Sequence, residues 1–153
     1  MVRCKVRCLN TTQTWEGFAH AELRPVKTGA SPDAAEDAEN RRFWKWTPSG
    51  EVSLRWKRDA VPDDAKKIDV GAFYYLDLET AQVDVARWNL ARIEQTDSRL
   101  EVELHMSYLE KQPEAPSFTG GTIKLGIDNK DAWAPFLSAG IGSAWMLTLT
   151  RCG

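Results

Sequence analysis

Residues 50–54 (GEVSL) and 71–78 (GAFYYLDL) are the stretches that decide the fold, because both recur 71 residues later, as 121–125 (GTIKL) and 142–149 (GSAWMLTL). The two glycines that open these stretches lie 21 residues apart in each copy. The apolar positions of the strands that follow the glycines also coincide between the copies. One small β-rich unit used twice explains this spacing best, since a fixed internal period marks a reused structural unit.

The rest of the chain is also rich in strand patterns. The segment 99–109 has the cleanest alternation, with Leu100, Val102 and Leu104 on one face and charged residues on the other, so one face of this strand is expected to be wet. A tight turn at 95–98 precedes it. The predicted strands lie near 2–8, 18–26, 51–57, 71–78, 85–94, 99–109, 122–127 and 144–150.

Three segments between the strands favour helices or loops. Ser31 suits a helix N-cap and Pro32 the first helical position, so residues 32–44 are predicted to be helical, with a solvated acidic loop as the alternative. Short helical or irregular crossovers are expected near 61–68 and 131–138.

These patterns predict a mainly β fold, a β-rich member of the α+β class. We expect two tandem units of about four strands each, residues 1–80 and 81–153, with a helical or acidic insertion near 28–45 in the first. The second unit is a divergent repeat of the first, and each unit has a short crossover helix. The predicted packing is a pseudo-symmetric sandwich or double barrel.

Composition limits the classes of function. The 153 residues are 42% hydrophobic and include seven tryptophans, which is enough for a core, and a net charge of −2 gives no global sign of a nucleic acid or an anionic membrane as partner. No apolar run has the length of a membrane span, and residues 1–8 lack the apolar core of a signal peptide. Three cysteines, Cys4, Cys8 and Cys152, give no disulfide framework. We expect a cytoplasmic protein without membrane partner or cofactor.

One segment, residues 41–58, interleaves basic and aromatic side chains. Six basic residues and one acid, Glu51, give it a net charge of +5 in a chain that is acidic overall. Basic side chains attract phosphates, and aromatic rings stack on bases with roughly 1–3 kcal/mol for each base. The alternative is that Trp44 and Trp56 are core anchors and that the basic residues form a solvated strand face near the acids of 33–39. The candidate ligand-binding residues are Arg41, Arg42, Trp44, Lys45, Trp46, Arg55, Trp56, Lys57 and Arg58.

His20 and His105 are weaker candidates for acid or base groups. Neither has an adjacent nucleophile or a carboxylate at a telling spacing, so we expect ordinary surface histidines on strands. Asp128 and Asp131 suit caps or turns better than a metal pair. The sequence has no glycine-rich phosphate loop, nucleophile elbow or metal-ligand cluster. We therefore predict that the protein is not an enzyme and holds no metal.

Residues 43–54 (FWKWTPSGEVSL) and 70–78 (VGAFYYLDL) carry a resemblance to a known group. They resemble small, uncharacterised tailed-phage and prophage proteins with a Phe-x-x-x-Thr-Pro-x-Gly pattern followed by Gly-x-x-Tyr-Tyr-x-Asp. The resemblance covers residues 2–78, and those proteins usually consist of one such unit. Residues 85–150 keep the glycines and the alternation but lose the Thr-Pro-Ser and Tyr-Tyr motifs. The resemblance implies a phage origin, and with it an inhibitor of host defence or a virion accessory protein.

We therefore predict a non-enzymatic, phage-derived accessory protein that sequesters a nucleotide-type ligand at residues 41–58, beside the junction of the two units. A homodimer is compatible with the same interpretation of a ligand bound beside a junction between similar units. The alternative is an interaction protein that docks on a host protein or joins a virion through an exposed aromatic patch or a free sheet edge. A third hypothesis is a binder of single-stranded nucleic acid, whose affinity falls steeply with salt.

Overall fold

The structure, a computed structural model, describes residues 2–26, 49–81, 88–106 and 118–152. Strands dominate these ranges, which confirms the predicted mainly β class. The predicted helix over 32–44 lies outside the described residues. The strands are β1 (Val2–Gln13), β2 (Phe18–Pro25), β3 (Ser49–Lys57), β4 (Phe73–Thr80), β5 (Trp88–Gln95), β6 (Leu100–Met106), β7 (Gly120–Ile127) and β8 (Ala144–Arg151).

The eight strands form one closed antiparallel barrel. Their order around the barrel is β1-β2-β3-β7-β6-β5-β8-β4. The prediction was a sandwich or a double barrel, whereas the structure has a single sheet because β3 pairs with β7 and β4 pairs with β8. These two seams join the strands of 1–80 to the strands of 81–153.

Each seam contains one residue pair whose separation in the sequence equals the 71-residue spacing of the quoted stretches. Val52 lies opposite Ile123 across the β3–β7 seam, and Asp77 lies opposite Thr148 across the β4–β8 seam. The two members of each pair are 71 residues apart in the sequence. The division of the chain into two repeated units stays a prediction.

Apolar side chains from all eight strands fill the interior of the barrel. Alternate residues of each strand point inward, as the period of a β-strand requires. Leu100, Val102 and Leu104 are buried and His105 is exposed, which agrees with the predicted faces of β6. The largest fully buried side chains are Trp88, Trp145, Tyr74 and Phe136. These buried side chains form the core of the barrel.

Short helical elements lie near both predicted crossovers. The first contains a single 3-10 turn, Ala65–Lys67, and the second contains a 3-10 turn, Lys130–Ala132, followed by α1 (Ala134–Ala139). α1 contributes the fully buried Phe136, whose ring stacks on Trp145 with centroids 5.3 Å apart. Among the described residues, no helix combines the length and the apolar character needed to cross a membrane.

Candidate ligand-binding site

Four of the nine predicted site residues lie in the described part of the chain. Arg55, Trp56 and Lys57 belong to β3, and Arg58 follows it directly. The structure therefore places the second half of the predicted segment at the end of one barrel strand. The other predicted residues, Arg41, Arg42, Trp44, Lys45 and Trp46, lie outside the described residues.

Alternation along β3 separates the tryptophan from the basic residues. Trp56 points into the barrel and is 7% exposed, and its ring is edge-on to Phe118 with centroids 6.0 Å apart. This is the core position that the alternative interpretation assigns to Trp56. Arg55 and Lys57 point outward and are exposed, as is Arg58. The described basic residues, but not Trp56, are thus available to a ligand.

Arg55 is fixed between two neighbouring strands. Its guanidinium carbon lies 4.4 Å from the centroid of the Phe18 ring, a cation–π contact across β2 and β3. On the other side, the amide of Thr119 donates to the Arg55 carbonyl at 2.8 Å, and Gly120 lies opposite Arg55 in β7. Arg55 therefore sits at the β3–β7 seam, where the two predicted units meet.

An exposed tryptophan lies at the same end of the barrel. Trp15 is 90% exposed in the turn that joins β1 to β2, a turn closed by a 2.9 Å hydrogen bond from the Thr14 amide to the Phe18 carbonyl. The Arg58 amide donates to the Gly17 carbonyl at 3.0 Å, which holds this turn against the end of β3. We call Trp15, Phe18, Arg55, Lys57 and Arg58 the hairpin site.

Trp15 and Phe18 were not among the residues predicted from the sequence. Both precede the segment 41–58, and only the pairing of β2 with β3 brings Phe18 opposite Lys57. One signal was present in the sequence: Trp15 lies in the short break between two predicted strands, next to Glu16 and Gly17. A tryptophan at a turn has no inward face to occupy and is therefore a candidate for an exposed ring.

The cations of the hairpin site are not neutralised by the described carboxylates. Arg55, Lys57 and Arg58 make no ion pair with a described acid, and Glu16 and Asp59, exposed at this end, make none either. Most other described cations do pair. Those with a carboxylate partner are Arg3, Arg24, Lys66, Arg92, Arg99, Lys124 and Arg151. The hairpin site therefore keeps positive charge available for an anion.

On the outer face of β5, β6 and β7, by contrast with the hairpin site, the cations have carboxylate partners. A depression of about 190 Å³ there is lined by Arg92, Arg99 and Lys124 together with Glu101 and Glu103. Arg92 lies 3.4 Å from Glu103, and Arg99 lies 3.2 Å from Glu101. Each cation of this depression is already paired with a carboxylate. The depression therefore attracts an anionic ligand less strongly than the hairpin site does.

Both histidines have side-chain partners that we did not predict. His20 Nε2 lies 2.6 Å from Ser53 Oγ, on the neighbouring strand, and His105 Nε2 lies 2.5 Å from Glu103 Oε1. Strand pairing brings Ser53 within reach of His20 from 33 residues away, a proximity that the spacing of these residues in the sequence does not reveal. Within the described residues, the His20 side chain has no third group that orients it, which a Ser-His catalytic pair requires.

The pair of His105 and Glu103 gives a pH-dependent prediction. The hydrogen bond from His105, followed by the one from Arg92, holds the pKa of Glu103 below its usual value. A carboxyl with a lowered folded pKa stabilises the fold above its unfolded pKa, about 4.3, and this stabilisation is lost as the pH falls through the folded pKa. We expect Glu103→Gln to lower the free energy of unfolding by about 0.5–1 kcal/mol at pH 7 and by much less at pH 3.

Urea denaturation of the wild type and of Glu103→Gln at both pH values measures this difference. The more exposed Glu94, which also contacts Arg92, provides the matched control Glu94→Gln. An equal loss of stability for Glu103→Gln at pH 7 and pH 3 would show that the ionised carboxylate is not the stabilising species.

Comparisons with known proteins identified no relative. A scan against models of protein families gave no match, and neither did searches of curated proteins and of solved structures. Within the described residues, no group of three or more His, Cys, Asp or Glu side chains is arranged to hold a metal ion. A functional assignment therefore depends on the geometry and charge of the hairpin site.

Proposed function

We propose that this protein binds a nucleotide-type ligand at the hairpin site and does not transform it. The observation that carries the proposal is the set of three exposed cations without a described carboxylate partner, next to an exposed tryptophan. A nucleotide needs both features, since it has phosphates at one end and an aromatic base at the other. The five predicted residues that precede β3 and lie outside the described residues remain part of this proposal.

The cations suit the phosphate end of such a ligand. Lys57 and Arg58 are adjacent and exposed, and Arg55 lies two residues before Lys57 on the same outward face of β3. Arg55 is held by Phe18 rather than by a carboxylate, so a phosphate meets a guanidinium whose position is already set. Charge-assisted hydrogen bonds of this kind favour phosphate over a neutral ligand.

The rings suit the base end. Trp15 is 90% exposed, so its ring is available to a planar ligand. Aromatic stacking contributes roughly 1–3 kcal/mol for each base in proteins that bind single strands. When a ligand covers the exposed Trp15 ring, apolar surface is removed from contact with water, which also favours binding. These terms together support a ligand that carries a base rather than inorganic phosphate alone.

We also propose that the barrel consists of two copies of one unit and that only the first copy carries this site. Strand order supports the repeat, since the neighbour order β4-β1-β2-β3 of the first half corresponds to β8-β5-β6-β7 of the second half, read in the opposite direction around the barrel. At the 71-residue spacing, the positions of Arg55 and Lys57 correspond to Gly126 and Asp128. The second copy thus lacks the cations, and we expect one ligand for each chain.

The biological role is proposed from the resemblance to phage proteins. A protein that binds a nucleotide without transforming it lowers the free concentration of that nucleotide. In an infected cell this would sequester a nucleotide signal of host defence. The role is proposed by analogy, and the binding chemistry above does not depend on it.

A thermal-shift screen tests the binding. The purified protein is heated with mononucleotides, cyclic dinucleotides and trinucleotides, and inorganic phosphate. A ligand present at about 100 times its dissociation constant adds about 2.7 kcal/mol to the free energy of unfolding. We expect a large shift with one class of nucleotide and a much smaller one with phosphate. No shift with any nucleotide would contradict the proposal and favour recognition of a protein partner.

Variants then locate the site. Trp15→Ala and Arg55→Glu are expected to remove the ligand-dependent shift while the ligand-free protein stays folded. Lys130→Glu is the matched control, because Lys130 also lies over an aromatic ring, Trp133 at 5.9 Å, but on the second half of the chain. A shift that survives both site variants in folded protein would place the ligand elsewhere. Titration calorimetry checks the expected stoichiometry of one.

A further inference from the structure

The last residues of β1 form a free sheet edge. β4 pairs with residues 2–7 of β1, and the Cys8 amide extends this pairing by donating to the Ala72 carbonyl at 3.0 Å. After Cys8, β1 continues to Gln13, and this part of the strand pairs with β2 only. Within the described residues, 9–13 make no backbone hydrogen bond on the side away from β2. We call residues 9–13 the β1 edge.

Two residues of the β1 edge direct their backbone groups to the free side. The Thr14 amide donates to the Phe18 carbonyl of β2 at 2.9 Å. Because the backbone groups of successive residues alternate between the two sides of a strand, Thr12 also faces β2, whereas Thr11 and Gln13 face away from it. The free side therefore offers two N–H donors and two C=O acceptors. Unpaired groups of this kind can pair with a strand of another chain.

The β1 edge is accessible and has apolar side chains at its start. All five of its residues are exposed, and Leu9 is 40% exposed. The Gly71 amide donates to the Cys8 carbonyl at 2.9 Å, which brings Val70 close to Leu9. Val70 is 60% exposed. An accessible edge beside exposed apolar side chains is a typical place for the addition of a strand.

The β1 edge also lacks the usual protection of a free edge. Proteins commonly protect free edges with charged side chains or proline, and residues 9–13 contain neither. The end of β5 also pairs on one side only within the described residues. The Thr96 amide closes the turn after β5 as the Thr14 amide closes the turn after β1, so Glu94 holds the position of Thr12. The end of β5 therefore carries a charge where the β1 edge has none.

We propose that the β1 edge pairs with the β1 edge of a second copy of this chain. Two identical strands can pair antiparallel about a two-fold axis. When Thr11 lies opposite the partner's Gln13, this pairing makes four backbone hydrogen bonds. The register places Thr12 opposite the partner's Thr12 on the axis. Because the pair on the axis shares no backbone hydrogen bond, its two side chains lie close together.

The side chains of the β1 edge are complementary to themselves in this register. The amide of Gln13 meets the hydroxyl of the partner's Thr11, and the two Thr12 hydroxyls meet on the axis, which is a favourable cross-strand pair. Thr11, Thr12 and Gln13 make no side-chain hydrogen bond with a described residue of their own chain, so these groups are available. The same pairing at the end of β5 places Glu94 opposite the partner's Glu94, and like charges directly opposite are destabilising.

The inference does not rest on the proposed nucleotide site. The hairpin site begins at Trp15, after the residues that pair in the dimer. Its cations lie on or next to β3, and β2 separates β3 from β1. Dimer formation and nucleotide binding can therefore fail independently of each other.

Sedimentation velocity of the full chain without nucleotide, from micromolar to millimolar concentration, tests the inference. Small interfaces associate weakly, so we expect the mass to rise from one chain to two toward the upper concentrations. A protein that stays monomeric at every concentration would overturn the inference and leave the β1 edge to a strand of another protein.

A charge exchange at Thr12 tests the register. Thr12→Lys and Thr12→Glu each place like charges opposite one another on the axis, so each variant is expected to weaken self-association roughly tenfold. An equal mixture of the two variants is expected to restore the dimer, because opposite charges then meet. Both variants are expected to keep the fold, since Thr12 is exposed, and to keep the thermal shift with nucleotide.

A matched pair of proline variants tests the backbone contacts. Gln13→Pro removes an N–H that faces the free side, a position where an edge strand tolerates proline. Gln95→Pro makes the same change at the end of β5. We expect Gln13→Pro to remove the dimer and Gln95→Pro to retain it. If Gln13→Pro unfolds the protein, the Thr12 variants decide. A dimer that survives Thr12→Lys and Thr12→Glu in folded protein would place self-association elsewhere and overturn the inference.

Discussion

Gly50→Ala is expected to lower the free energy of unfolding by about 4 kcal/mol, near the upper end of what single substitutions do. A Cβ at this position would lie 1.9 Å from the carbonyl oxygen of Lys124, across the β3–β7 seam. The φ of Gly50 is +129°, which an L-residue adopts only with strain. Because a domain of this size is stable by roughly 5–15 kcal/mol, the loss is a large share of the total.

Gly142→Ala is the matched control for Gly50→Ala. Gly142 also has a positive φ, +85°, but a Cβ there would meet no atom within 4 Å. Only backbone strain remains, so we expect a loss of about 1–2 kcal/mol. Urea denaturation followed by tryptophan fluorescence measures both variants. Equal losses for Gly50→Ala and Gly142→Ala would mean that the seam does not approach as closely as the structure shows.

Trp145→Ala is expected to cost about 3–5 kcal/mol, the usual range for removing a buried tryptophan side chain. Trp145 is 1% exposed, stacks on Phe136, and donates from Nε1 to Ser143 Oγ at 2.8 Å. It also lies opposite Trp88 in the β5–β8 ladder, which has only two residue pairs within the described part of the chain. Loss of its ring therefore weakens the barrel where the described pairing is shortest.

Trp15→Ala makes the same chemical change at the surface. Because Trp15 is 90% exposed, we expect its loss to change the free energy of unfolding by no more than about 0.5 kcal/mol. The contrast between the two variants tests the burial of both rings in one experiment. A large loss of stability in Trp15→Ala would show that this ring packs against the protein and would weaken its assignment to the hairpin site.

Most individual strands could be predicted because their signals are local. The alternation in β6 and the glycine that precedes each aromatic strand appear within a few residues of sequence, and period two is a property of the strand itself. The pairing of β3 with β7 also has a local signal in the sequence, namely a glycine in each strand. Gly50 and Gly121 both have positive φ, and each lacks the Cβ that would strike the backbone of the opposite strand. The repeated glycines are visible in the sequence, but the strands that they approach are not.

The candidate site was found in part. Arg55, Lys57 and Arg58 stood out because charge and aromatic rings cluster within a short segment. Trp56 has the same composition signal but lies inside the barrel, since composition does not reveal which face of a strand a residue occupies until the register is known. Trp15 and Phe18 were missed because they join the site only through the pairing of β2 with β3.

The sequence by itself determined the mainly β class, the approximate positions of most described strands and the basic segment, because these depend on periodicity and composition over neighbouring residues. Only the tertiary structure decided that the strands close into one barrel, that His20 meets Ser53, and that Trp15 lies on the outside. The physical reason is that strand pairing is made by backbone hydrogen bonds between residues far apart in the chain. Almost every residue offers the same donor and acceptor for those bonds, so local sequence does not name the partner.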